Sequence, residues 1–87
     1  MDSEQRIIEH FGAEHQLKKT VEELTELTLA IQHYLNGRSN REELVEEMGD
    51  VENMLSQTRR ILKIDLNEIE EVIRQKEERT LERMADD

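Results

Sequence analysis

The chain has 87 residues, a formal net charge of −10, 39% charged and 34% hydrophobic residues, and no proline, cysteine or tryptophan. That length limits it to one small domain, and the acidic balance excludes a general binder of nucleic acid or anionic membrane, since both need basic surface. Without cysteine there is no disulfide framework or thiolate chemistry. With no apolar run long enough for a signal peptide or membrane span, the expected location is the cytoplasm.

One phenylalanine, one tyrosine and three glycines point to an all-α chain forming an antiparallel helical bundle that is completed by oligomerisation. Ser3 can cap a short helix at about 4–11, which Gly12 ends or bends. A long helix follows at about 13–35, closed by Asn36-Gly37-Arg38 with Gly37 suited to a left-handed position. Ser39-Asn40-Arg41-Glu42 reads as a capping box opening a helix at about 41–62. Asp65-Leu66-Asn67-Glu68 repeats the pattern and opens a last helix at about 66–84, after which the end frays. No linker divides these elements, so residues 1–87 read as one domain. The short loop after Leu35 makes the second and third helices antiparallel neighbours.

Two acidic clusters lie inside these neighbouring helices, Glu22-Glu23-Leu24-Thr25-Glu26 and Glu46-Glu47-Met48-Gly49-Asp50. Advancing about 100° per residue, Leu17, Val21, Leu24, Leu27, Ala30, Ile31, Tyr34 and Leu35 form one broad apolar arc. Glu23 falls inside it and Glu26 just beyond its edge. In the next helix Leu44, Met48, Val51, Met54, Leu55, Ile61 and Leu62 form the arc, with Glu47 inside it and Asp50 at its edge. Carboxylates are rarely buried unless paired or metal-bound. Four of them converging across one interface repel one another, so the placement calls for a cation.

Oxygen-only ligands suit hard Mg²⁺, with Mn²⁺ as an alternative. A di-iron bundle needs Glu-x-x-His pairs, yet His10, His15 and His33 follow Ile7, Gly12 and Ala30 at that spacing. Zinc is disfavoured without cysteine or a histidine cluster. The three histidines read as surface or packing residues. On the last helix Lys76 projects into the apolar side made by Ile69, Val72 and Ile73, and Arg79 and Arg83 follow along the same flank. Such residues are the usual partners of phosphate oxygens. Lys76, Glu77, Glu78 and Arg79 equally fit a solvated, salt-bridged face.

Glu-Glu-x-x-Glu, a helical hairpin, then Glu-x-x-Asp resembles the signature of the all-α NTP pyrophosphohydrolases, and most closely the small MazG-like proteins. The resemblance spans roughly Leu17 to Arg83. It implies Mg²⁺ ligands at Glu23, Glu26, Glu47 and Asp50, a supporting acid at Glu22, and phosphate-binding residues at Lys76, Arg79 and Arg83. It also implies a homodimer or homotetramer that hydrolyses a (d)NTP to (d)NMP and pyrophosphate, with Glu22 or Glu26 as general base. Periodicity independently favours an oligomer: Leu17, Val21, Leu24, Thr28, Ile31 and Leu35 follow the spacing of a helix–helix seam. Two other readings remain, a non-catalytic helical interaction module and a degenerate relative that binds nucleotide or Mg²⁺ without turnover.

Overall fold

The computed structural model describes all 87 residues. It is all-α: α1 (Ser3–Phe11), α2 (Ala13–Leu35), α3 (Arg41–Leu62) and α4 (Leu66–Asp86). No helix is long and apolar enough to cross a membrane.

Each helix boundary has a local cause. Asp2, rather than Ser3, caps α1: its carboxylate accepts from the Gln5 amide at 2.9 Å, and Ser3 is the first helical residue. The longer carboxylate one position earlier reaches the same free N–H groups. Gly12, at φ 93°, breaks the path between α1 and α2. Gly37 takes φ 72°, the left-handed turn expected after α2, and lets Arg38 N–H reach the His33 carbonyl at 2.8 Å. The expected Ser39–Glu42 box does not form, and the cap lies one residue later. Asn40 caps α3 by accepting from the Glu43 amide at 2.9 Å, while Ser39 Oγ donates to Glu43 Oε2 at 2.7 Å. Asp65 and Glu68 form the capping box of α4.

The core is the antiparallel α2–α3 hairpin, with α1 laid against it. At the open end of the hairpin Gln16 Nε2 donates to Gln57 Oε1 at 2.9 Å. One turn along, the Thr20 hydroxyl meets that of Thr58 at 2.9 Å. Gln16, Thr20 and Gln57 are buried with Val51 and Met54, so this part of the seam is held by paired polar groups as well as apolar contact. The helix α1 is pinned by Arg60, whose guanidinium meets both carboxylate oxygens of Asp2 at 2.9 and 3.0 Å and Glu4 at 2.9 Å. Ser56 Oγ donates to Glu4 Oε2 at 2.6 Å. Ile8 is the one residue of α1 that buries.

On α2 the less exposed positions are Gln16, Leu17, Thr20, Glu23, Leu27 and Ala30. Of the stripe read as an oligomer seam, Val21, Leu24, Ile31 and Leu35 face outward. α4 buries no residue and shares no packed interface with the other helices. A capping box and the pairs of Arg74 with Glu71 and Glu78 support it. One chain therefore does not close a bundle by itself.

Candidate active site

The polar pairs at the open end fix the register of the hairpin, and the register decides what meets further along. With Gln16 against Gln57 and Thr20 against Thr58, the next inward positions are Glu23 on α2 and Asp50 and Glu47 on α3. Carboxylate oxygens of Glu23, Glu47 and Asp50 all lie within 4.8 Å of one another. The Glu23 side chain is 14% exposed, with Lys19 Nζ at 3.3 Å. Glu47 is half-buried and Asp50 is on the rim.

Burial, reinforced by the charges of Asp50, Glu26, Glu23 and Glu46, pushes the Glu47 carboxyl above the usual carboxylate range. Desolvation and like charge both disfavour the ionised form. Lys19, shared between Glu23 and Glu22 at 3.3 and 3.8 Å, is the one cation paired with the cluster. The donor set is all oxygen, and its three ligand atoms lie close enough together to share one ion. That chemistry fits a hard divalent cation, whose remaining positions would be open to water or phosphate.

The other expected site residues are placed differently. Glu26 does not join the three-acid group. It lies one turn on, where it lines a shallow depression with Glu43, Glu46, Glu47 and His33. Glu22 is two-thirds exposed and engaged with Lys19. Lys76, Arg79 and Arg83 are exposed on α4, and because α4 has no interface with α2 or α3, a single chain does not bring them to the acids. Sequence reasoning passed over Lys19. Lys19 stands three and four residues before Glu22 and Glu23, a spacing from which the pairing could have been read.

Comparison with known families agrees with this geometry. The family model described as phosphoribosyl-ATP pyrophosphohydrolase matches residues 4–77, a span that includes both acidic clusters and the whole hairpin. No curated protein and no solved structure matches the chain. With most of its length covered, the chain belongs to the phosphoribosyl-ATP pyrophosphohydrolase family, within the MazG-like all-α NTP pyrophosphohydrolase superfamily, whose members are hydrolases acting on a phosphoanhydride bond.

Proposed function

We propose that the protein is a Mg²⁺-dependent pyrophosphohydrolase that cleaves a nucleoside triphosphate between its α- and β-phosphates. The observation that carries this reading is the meeting of Glu23, Glu47 and Asp50 within 4.8 Å at a half-buried seam, in a chain of this family. Glu23, Glu47 and Asp50 would hold a hard cation, Mg²⁺ or Mn²⁺, which would supply neutralisation of phosphate charge and a lowered pKa for an attacking water.

Glu26 is the better-placed general base. It is exposed beside Glu47, whereas Glu22 engages Lys19. As the water oxygen bonds to the α-phosphorus, Glu26 accepts its proton. The α–β bond breaks and its electron pair leaves with pyrophosphate. Lys76, Arg79 and Arg83 offset the charge of that leaving group, supplied by α4 of a second copy. The oligomer is supported by the outward apolar stripe on α2 and by an α4 on which Val72, Ile73, Leu81 and Met84 are all at least half exposed.

The family description favours phosphoribosyl-ATP as a second substrate candidate beside the simple (d)NTPs. Hydrolysis in ¹⁸O-water separates the bonds attacked. The label should enter the monophosphate product and be absent from pyrophosphate for whichever substrate is turned over. Label in pyrophosphate, or release of single phosphate, contradicts α-phosphorus attack.

A further inference from the structure

Val51 and Met54 make part of the α2–α3 seam apolar, but the stretch that leads to the acids is polar. Thr20 is 7% exposed. Its hydroxyl meets that of Thr58 at 2.9 Å, the Gln16 carbonyl at 2.9 Å and the Met54 carbonyl at 3.5 Å. The Thr58 hydroxyl donates to the same Met54 carbonyl at 2.8 Å. One turn outward, Gln16 pairs with Gln57 at 2.9 Å. Buried polar pairs add little net stability, because each bond replaces one made to water, and apolar residues of the same shape serve as well. On the same helix Val21 and Leu24 are 64% and 44% exposed. The helix α2 therefore turns polar side chains to α3 and leaves adjacent aliphatic ones outside.

Turning α2 by one residue, about 100°, would present Val21 and Leu24 to α3 in place of Thr20 and Glu23. That arrangement buries more apolar surface and carries Glu23 out of the seam. It also relieves the repulsion of three carboxylates that lie within 4.8 Å of one another. Something must hold the observed rotation against both effects. Directional bonds between buried polar groups can do so, at a cost in stability. Their spacing carries the choice to the acids. Glu23 lies three residues after Thr20 and seven after Gln16, and Asp50 lies seven before Gln57, so the polar pairs and the acids share one face of each helix.

We propose that Thr20 and Thr58 are positioning residues of the cation site: their hydroxyl pair selects the rotation of α2 that sets Glu23 against Glu47 and Asp50. The proposal rests on the cation reading above and names what keeps the acids together before an ion arrives. The threonines act through the helix that carries Glu23, with no contact to metal or substrate assigned to them.

The test compares the parent with two double variants, Thr20→Val with Thr58→Val, and Thr20→Ser with Thr58→Ser. The valine pair keeps the side-chain shape and removes both hydroxyls together, so no orphaned donor remains. The serine pair keeps the hydroxyls and loses the methyl groups. Two quantities are read: Mn²⁺ affinity, from the EPR signal of the free ion, and, in EDTA, the NOEs that link the Glu23 side chain to those of Glu47 and Asp50. The valine pair should melt in EDTA at or above the parent temperature, bind Mn²⁺ about tenfold more weakly, and lose the NOEs. The serine pair should melt lower, yet bind Mn²⁺ like the parent and keep the NOEs. The proposal is overturned if the valine pair keeps the NOEs or the parent affinity, or if the serine pair fails along with it. It is also overturned if affinity falls only in step with a lower melting temperature, since the threonines are then structural. If the parent itself binds no Mn²⁺, the cation reading fails, and the NOEs in EDTA still decide whether the threonines set the rotation.

Discussion

Glu47 holds the tension between folding and function in one side chain. Its carboxyl is pushed above the usual range first by burial and then by Asp50, Glu26, Glu23 and Glu46. A native pKa above the unfolded one means that the folded chain binds this proton more tightly. The stabilising contribution is complete below the unfolded value and is lost as pH rises through the native one. Metal-free protein should therefore lose stability between the usual carboxylate value and neutrality, and Glu47→Gln should remove part of that loss. In EDTA at neutral pH the variant should melt above the parent, and the gap should close under acid. Added Mg²⁺ should reverse the order, because a cation that binds only the native acids raises the parent's melting temperature by mass action. Parallel melting curves for the two proteins across pH and metal would count against a strained cation site at Glu47.

Along the elements, the convergence of Glu23 with Glu47 and Asp50 was legible because both half-buried acids fall inside apolar arcs. The edge of each arc that meets the sequence neighbour was not. An arc of nearly half a helix is wider than one neighbour covers, and it does not say which edge meets the sequence neighbour and which stays open. Gln16 and Thr20, both polar, occupy the inner edge because each finds a hydrogen-bond partner on α3. The one-residue displacement of the α3 cap has a similar origin. Ser39 and Asn40 are both capping residues with an acid three positions later, so the pattern alone is degenerate. The separation of α4 from the hairpin carries no sequence signal, since its own residues do not say what its apolar side packs against. If α4 completes the site of a second copy, Lys76→Ala should cost about 1.5–3 kcal/mol in nucleotide binding or turnover, with smaller losses for Arg79→Ala and Arg83→Ala. Metal-induced stabilisation should survive all three changes. Mixing Lys76→Ala with Glu47→Gln should then restore activity to about a quarter of the parent's, from the one intact site in each hybrid dimer. Two inactive variants that stay inactive after mixing, or a Lys76→Ala protein as active as the parent, would reduce α4 to scaffold.

The whole molecule places strongly acidic chemistry on a frame that a single chain leaves open. A hairpin register set by two polar pairs brings three carboxylates together, a short helix pinned through Arg60 lies against the hairpin, and α4 extends away with its apolar face uncovered. Each feature suits a small hydrolase acting on a phosphoanhydride bond. The central claim is that the seam acids hold the cation for phosphoanhydride cleavage. Its most direct measurement is pyrophosphate release from (d)NTPs and phosphoribosyl-ATP by the parent and by Glu47→Gln, at saturating Mg²⁺ and with matched helical content. The account predicts pyrophosphate from at least one substrate with the parent, no release in EDTA, and a loss of about 100-fold or more in the variant, the scale on which removing a key electrostatic group acts. Equal release by the two proteins, or release by the parent undiminished in EDTA, would contradict it.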